Sequence, residues 1–176
     1  VYSGDDRIYG NYYFGGSHKN PEANFGTAFY DEFSHSYEDY HKKAVATAQY
    51  DVEAFEHIKD AVYINHNIYV KDAKACAFEE CNLKTSFDPK LKVFRNDDGL
   101  FVEFNASKEM MDFTFEAIST EKLGEARIVE CAYENPDGSP FVIDPDLLDN
   151  HRDPLCVHAG PIESFKEGYN LIKIWD

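Results

Sequence analysis

Basic residues are scarce in this sequence relative to acidic ones. The 176 residues include 17 Lys and Arg against 33 Asp and Glu, which gives a net charge of −16. Basic side chains supply most of the non-specific attraction to nucleic-acid phosphates and to anionic bilayers, whereas so acidic a surface repels both. We therefore expect neither nucleic acid nor a membrane among the partners.

Long apolar runs and a leader are also missing. No stretch approaches the ~20 apolar residues that span a bilayer. The sequence starts at Val1, without Met and without a basic-then-apolar leader. These absences predict a soluble protein with no signal peptide or transmembrane segment in this chain, and they leave its compartment open. We interpret Val1 as a cut or processed end.

Cysteine is sparse, and its spacing decides little. Cys76 and Cys81 are separated by four residues, while Cys131 and Cys156 are scattered. This pattern fits neither paired CxxC zinc ligands nor a dense disulfide framework. We predict free, mostly buried thiols, and a single bridge stays open as the alternative.

Familiar catalytic and metal motifs are absent as well. The sequence has no phosphate-binding loop, no GxSxG elbow and no HExxH motif. Asp144, Asp146, Asp149 and Asp153 are as closely spaced as calcium ligands, but they lack the central Gly and terminal Glu of an EF-hand loop. Ordinary turn chemistry accounts for them. The sequence therefore predicts no metal site and no cofactor.

Short strands bent at an Asn are present, in a chain whose aromatic content is 15%. β-Branched and aromatic residues predict strands within residues 6–16 and 61–70. Alignment of the two segments pairs Asn11 with Asn67, Ile8 with Ile64, Tyr12 with Ile68 and Tyr13 with Tyr69. Recurring Asn-bent strands are typical of a parallel β-solenoid, in which equivalent positions stack. Two unrelated strands with loop asparagines would show the same spacing.

The rest of the chain predicts one helix and several antiparallel strands. Apolar residues at helical spacing predict a helix over residues 36–49, capped by Ser36, as an insertion at about residues 34–50. Residues 90–94 and 100–104 flank an Asp-Gly turn and predict a hairpin. Further strands are predicted at 113–118, 127–133, 141–143 and 171–175, with a turn at 135–138.

These elements predict a mainly β fold in two parts. Residues 1–75 would hold the β-helix coils with the helical insertion, and residues 76–176 would form antiparallel hairpins in a sandwich-like region.

The composition also favours a sugar ligand. Sugars stack on aromatic faces and accept hydrogen bonds from polar side chains, and glycosidases cleave them with a pair of carboxyl groups. If the chain were a non-catalytic carbohydrate-binding or surface β-module, five tyrosines would be candidates for an exposed stacking row: Tyr9, Tyr12, Tyr13, Tyr63 and Tyr69. For most of the acidic residues, a solvated surface is the plainer explanation.

Several segments carry a more specific signal, at residues 4–11, 24–31, 62–69, 73–74, 87–89, 135–139 and 160–175. Together they resemble the later coils of right-handed parallel β-helix proteins related to glycoside hydrolase family 120, the β-xylosidases. The resemblance covers most of the chain. It implies a retaining xylosidase with an Asp nucleophile and a Glu acid/base on neighbouring coils, and with an attached β-sandwich.

The catalytic motifs of that family match this chain poorly. In the family pattern, Trp follows the nucleophilic Asp and the acid/base Glu lies in a Phe-Val-Glu-Val-Asn-His type strand. The single Trp here is Trp175, and the residue directly before it is Ile174 rather than Asp. Phe101-Val102-Glu103-Phe104-Asn105 imitates the second motif and makes Glu103 a candidate acid/base, although Ala106 replaces the His.

The resemblance therefore implies the C-terminal portion of such an enzyme, lying after both catalytic carboxylates and not catalytic alone. The chain would complete and cap the β-helix, with Asp5, Asp6 and Arg7 as candidate substrate-binding residues at the rim of the sugar site. The implied partners are the remaining N-terminal part of the enzyme and a xylo-oligosaccharide, and a homo-oligomer stays open. The alternatives are the non-catalytic module and a fragment of a β-helix polysaccharide lyase or epimerase.

Overall fold

The structure, a computed structural model, describes residues 5–16, 25–47 and 57–176. The described part is mainly β with a few short helices, as predicted. Its strands, in chain order, are β1 (Asp6–Tyr9), β2 (Tyr12–Phe14), β3 (Phe33–Ser34), β4 (Lys59–Asn65), β5 (Asn67–Val70), β6 (Asn82–Thr85), β7 (Lys92–Asn96), β8 (Gly99–Ala106), β9 (Thr114–Phe115), β10 (Glu125–Ala126), β11 (Cys131–Ala132), β12 (Val157–His158) and β13 (Gly168–Trp175). Its helices are α1 (Tyr37–Thr47), α2 (Lys108–Asp112), α3 (Thr120–Leu123) and a 3₁₀ helix over Ala28–Glu32.

Two three-stranded parallel sheets form the first part of the fold, with strand orders β1-β4-β3 and β2-β5-β6. The register is the one that the aligned asparagines predicted: Ile8 pairs with Ile64, Tyr12 with Ile68 and Tyr13 with Tyr69. The bend between consecutive strands contains a residue with left-handed backbone: Gly10, at φ 65°, between β1 and β2, and His66, at φ 61°, between β4 and β5. The prediction that these segments stack in parallel is confirmed.

The structure contains a third stacked strand, β6, which was not predicted. β6 pairs in parallel with β5, and Asn82 lies opposite Asn67. The sequence feature that marks this strand is Asn82, which stands at the start of a short β-forming run. Parallel pairing thus extends to Thr85, beyond residue 75, where the predicted boundary was drawn. The division itself stays a prediction.

Helix α1 forms where the apolar spacing predicted a helix. The Ser36 hydroxyl accepts a hydrogen bond from the Asp39 N–H at 3.1 Å, as an N-cap should. Tyr40 is buried on the inner face of the helix. The predicted C-terminal end, residues 48–49, lies outside the described residues.

The second part of the fold contains an antiparallel sheet in the order β13-β8-β7. The predicted hairpin is confirmed as β7 and β8, with Gly99 at φ 131° closing the turn. The last predicted strand is also confirmed, since β13 forms the other edge by pairing with β8. The predicted turn at 135–138 is closed by the Gly138 N–H, which donates to the Asn135 carbonyl at 2.8 Å.

Three of the predicted strands were wrong over most of their length. Residues 113–118 contribute only β9, residues 127–133 only β11, and residues 141–143 only an isolated bridge between Val142 and Ser119. Glu130 has a φ of 52°, which a continuous strand excludes. Strand propensity gives way here to side-chain contacts with other parts of the fold.

Two groups of buried residues form the core. One joins Ile68 and Val70 of β5 to Met110 of α2. The other contains Val62 and Ile64 of β4. β5 is buried at all four positions, which is the pattern of a strand covered on both faces.

All four cysteines are free thiols, as predicted. The expectation that most are buried was wrong: Cys76 is buried, whereas Cys81, Cys131 and Cys156 are exposed. None of the helices among the described residues has the length and apolar character needed to cross a membrane.

Candidate functional site

Arg7, a predicted sugar-binding residue, lies between two tyrosine rings. Its guanidinium carbon is 4.9 Å from the ring centroid of Tyr63 and 4.9 Å from that of Tyr133. Its Nε donates to the Leu123 carbonyl at 2.7 Å, and its Nη2 donates to the Glu125 carbonyl at 2.8 Å. Arg7 thereby fixes residues 123–133 to the outer face of β1 and β4.

The neighbouring acids are used differently. Asp5 forms an ion pair with Arg7, and its other carboxylate oxygen accepts the Arg127 N–H at 3.0 Å. Asp6 is exposed at the start of β1. These contacts give Asp5 and Arg7 a structural function, and the substrate-binding role of all three residues stays a prediction.

A second arginine attaches the same segment to helix α1. The Arg127 guanidinium carbon lies 5.5 Å from the Tyr37 ring and 5.6 Å from the Tyr40 ring. It also pairs with Asp60 at 3.6 Å. Because the two arginines stack on aromatic faces, the segment is held by guanidinium packing rather than by the predicted strand at 127–133.

We expect Arg7→Met to lower the free energy of unfolding by about 3 kcal/mol, because it breaks a largely buried ion pair and leaves carbonyl groups without donors. Urea unfolding monitored by circular dichroism measures the loss. Arg95→Met is the matched control, since Arg95 is exposed, and it should change stability by less than about 0.5 kcal/mol. Equal effects of the two substitutions would contradict this role for Arg7.

Glu103, the candidate acid/base, lies on the central strand of the antiparallel sheet. Tyr169 donates to Glu103 Oε2 at 3.2 Å, and Lys92 Nζ lies 3.3 Å from Oε1. Both oxygens are thus engaged by side chains of the flanking strands, as is usual for cross-strand polar pairs. Its catalytic role stays a prediction.

The asparagines at the strand bends form a hydrogen-bonded ladder. Both the backbone N–H and the Nδ2 amide of Asn11 donate to Asn67 Oδ1, at 2.9 and 3.1 Å. The same two groups of Asn67 donate to Glu79 Oε1, at 3.0 and 2.9 Å. The ladder therefore passes from one stacked segment to the next and ends on a carboxylate.

Glu79 is one of two buried acids in the described structure; its exposure is 6%, the same as that of Asp146. The Tyr69 hydroxyl donates to Glu79 Oε2 at 2.5 Å. Thr27 Oγ1 lies 2.6 Å from that hydroxyl and accepts the Cys76 N–H at 2.9 Å. Burial, together with the hydrogen bond to Glu79, raises the pKa of Tyr69, so the phenol keeps the proton that it donates.

Asp146 is the buried member of the closely spaced aspartates, and its carboxylate closes a turn. Asp146 accepts hydrogen bonds from the backbone N–H groups of Leu148, Asn150 and Glu163. Burial opposes its ionisation, but these bonds and the Asn150 amide outweigh burial and lower the pKa of Asp146. Among the described residues, no group of three or more His, Cys, Asp or Glu could hold a metal ion.

An apolar cavity of about 820 Å³ lies between the antiparallel sheet and β2. Its polar corner contains His158, whose Nδ1 lies 2.7 Å from Glu163 Oε1 and whose Nε2 lies 3.0 Å from the Met111 carbonyl. With both ring nitrogens engaged, His158 links Glu163 to the C-terminal end of α2. No motif in the sequence predicted this His-Glu pair.

A smaller cavity of about 550 Å³ lies beside the bend between β4 and β5, and Tyr9 and Tyr63 are among its lining residues. The other three tyrosines of the predicted stacking row lie elsewhere. Tyr12 lines the larger cavity, and Tyr69 is fully buried. Tyr13 stacks on Tyr69 at 5.2 Å. The five side chains therefore do not form one exposed row.

Comparison with solved structures shows that this fold is similar to that of a protein solved with a bound sugar. The chain is similar to XylC, whose structure is a complex with xylose. The TM-score is 0.83, and 37% of the residues are identical over 99% of this chain. The chain spans 27% of the length of XylC, about a quarter of it. No protein-family model and no curated protein matched the chain.

Proposed function

We propose that this chain is the C-terminal part of a β-xylosidase-like glycoside hydrolase that acts on xylo-oligosaccharides. Its role is to complete and cap a right-handed parallel β-helix, while the catalytic carboxylates belong to the remaining N-terminal part of the enzyme. The observation that carries the proposal is the match of nearly the whole chain, at 37% identity and a TM-score of 0.83, to a quarter of the xylose-bound XylC.

The two ends of the asparagine ladder support the capping role. At one end, Asn67 donates to the buried carboxylate of Glu79, which closes the ladder. At the other end, Asn11 uses its donors on Asn67, and its Oδ1 has no donor among residues 5–16, 25–47 and 57–176. An upstream coil with an amide donor at its bend would extend the ladder at Asn11.

The free strand edges also support the stacking of an upstream coil on β1 and β2. Within the described part of the chain, β1 pairs only with β4 and β2 pairs only with β5. Each therefore has a strand edge that another parallel strand can join. Residues 1–75, with the insertion at about 34–50, would then be the last coils, and residues 76–176 the region that covers the end.

A chimera tests the proposal. This chain replaces the matching quarter of XylC, and the product is assayed for xylose binding and for hydrolysis of an aryl β-xyloside and of xylobiose. We expect activity within about tenfold of intact XylC, since a misplaced active site would cost on the order of 100-fold. The 176-residue chain alone should release no xylose.

The control is XylC that lacks the replaced quarter, which should be inactive or insoluble. A folded chimera without xyloside hydrolysis would contradict the proposal. Analysis of the products separates the alternatives, because a lyase forms an unsaturated sugar by elimination whereas a hydrolase adds water.

A further inference from the structure

The smaller cavity has the composition of a sugar-binding pocket. We call it the tyrosine pocket, and six of its lining residues are Tyr9, His35, Tyr63, Asn65, Phe78 and Glu80. Tyr9 and Asn65 lie directly opposite each other on the paired strands β1 and β4. The volume of about 550 Å³ is within the usual range of small-molecule sites.

Three polar groups of the tyrosine pocket are unengaged. Within the described residues, the Tyr9 hydroxyl, the Asn65 Nδ2 amide and the Glu80 carboxylate make no hydrogen bond. The Asn65 side chain is nevertheless fixed, because its Oδ1 accepts the N–H groups of His66 and Cys81 at 3.0 and 2.8 Å. The pocket therefore offers a positioned amide donor, a phenol and a free carboxylate.

Aromatic rings supply the apolar part of the wall. The rings of His35 and Phe78 are stacked with their centroids 4.0 Å apart and an interplanar angle of 21°. Tyr63 is held by Arg7 at 4.9 Å and accepts the Tyr37 N–H at 3.3 Å, so its ring position is set before any ligand binds. A flat ligand with C–H faces and hydroxyl groups satisfies both kinds of surface.

The charge of the site selects against anions. Glu80 is exposed at the pocket, Glu79 also lines it, and the whole chain carries a net charge of −16. A uronic acid or a phosphorylated sugar would be repelled, whereas a neutral sugar can donate its hydroxyl protons to the carboxylate.

We propose that the tyrosine pocket binds a neutral pyranose, and that the bound sugar is xylose or the end of a xylo-oligosaccharide. The choice of xylose rests on the proposed function. The pocket itself rests on Tyr9, Tyr63, Asn65 and Glu80, all of which belong to this chain.

The test is a titration of the 176-residue protein with xylose, xylobiose, glucose and glucuronate, followed by NMR chemical shifts. We expect the neutral sugars to shift resonances of Tyr9, Asn65 and Glu80, with xylobiose bound most tightly and glucuronate not bound. Tyr9→Phe removes one hydrogen bond and should weaken binding about 3- to 10-fold. Glu80→Ala removes a charged acceptor and should weaken it about tenfold or more.

Tyr169→Phe and Glu121→Ala are the matched controls, since both residues are exposed and lie outside the pocket lining. They should leave the sugar affinity unchanged. The pocket assignment is overturned if no neutral sugar binds, if glucuronate binds as well as xylose, or if the pocket variants and the controls weaken binding equally. These outcomes leave the chimera assay unaffected. Binding of glucose without xylose would instead overturn the xylose assignment and, with it, the substrate class of the proposed function.

Discussion

Gly26→Ala is expected to lower the free energy of unfolding by about 4 kcal/mol, among the largest effects of a single substitution. Gly26 forms a parallel bridge with Lys74, where two stacked segments touch through their backbones. A Cβ at Gly26 would lie 2.2 Å from the Lys74 carbonyl oxygen. Relief of that contact requires backbone movement, which breaks the bond from the Thr27 N–H to the same oxygen at 2.9 Å.

Urea unfolding of Gly26→Ala should be compared with that of Gly138→Ala. Both glycines have positive φ, 120° and 81°, but a Cβ at Gly138 meets nothing within 4 Å. The control therefore measures the cost of left-handed backbone alone, about 1 kcal/mol. If the two variants lost equal stability, the close contact between residues 26 and 74 would be wrong.

Glu79→Ala is expected to cost a similar amount, about 4 kcal/mol. The carboxylate accepts bonds from the Asn67 backbone, the Asn67 amide and the Tyr69 hydroxyl. Its removal leaves the two Asn67 donors buried without an acceptor, at about 1 to 3 kcal/mol for each group that no water reaches, and deprives the Tyr69 hydroxyl of its charged acceptor. Glu79→Gln keeps one acceptor oxygen for Asn67 and should lose only about 1 to 2 kcal/mol.

Glu80→Ala provides the neighbouring control, because Glu80 is exposed and its substitution should change stability by less than about 0.5 kcal/mol. Thermal unfolding of the three variants gives the order Glu79→Ala, Glu79→Gln, Glu80→Ala from least to most stable. If Glu79→Ala were as stable as Glu80→Ala, the carboxylate would not close the ladder.

The sequence was informative where one local signal determined the structure. The repeated Asn-bent segments predicted the register of Ile8 on Ile64 and of Tyr12 on Ile68, because stacked coils keep equivalent residues in line. Ser36 predicted the start of α1, because an N-cap acts within one turn. The Asp-Gly turn between β7 and β8 was equally local.

The sequence was misleading where distant contacts decide the structure. Residues 127–133 have strand propensity, yet Arg127 stacks on tyrosines of α1 and the backbone turns. In the sequence, Glu79 and its neighbour Glu80 look like two ordinary surface acids. Only the folded chain brings it to Asn67 and Tyr69, and no spacing rule connects these residues.

The chemistry of the site was also only partly predictable. The resemblance of the sequence pointed to a xylosidase, and the similarity to the xylose-bound XylC agrees with that direction. The rim residues Asp5 and Arg7 bind residues 123–133. The sequence could not predict these contacts, because the partners Arg127 and Tyr133 lie more than a hundred positions away.

Amide hydrogen exchange of residues 6–14 tests the central claim most directly, because β1 and β2 carry the strand edge on which an upstream coil would stack. The exchange rates are measured in the 176-residue chain and in the XylC chimera, with β13 as the internal reference. We predict that residues 6–14 exchange at least about tenfold more slowly in the chimera, because their backbone groups gain partners, while β13 is unchanged. Equal exchange rates at residues 6–14 in the two proteins would contradict the account.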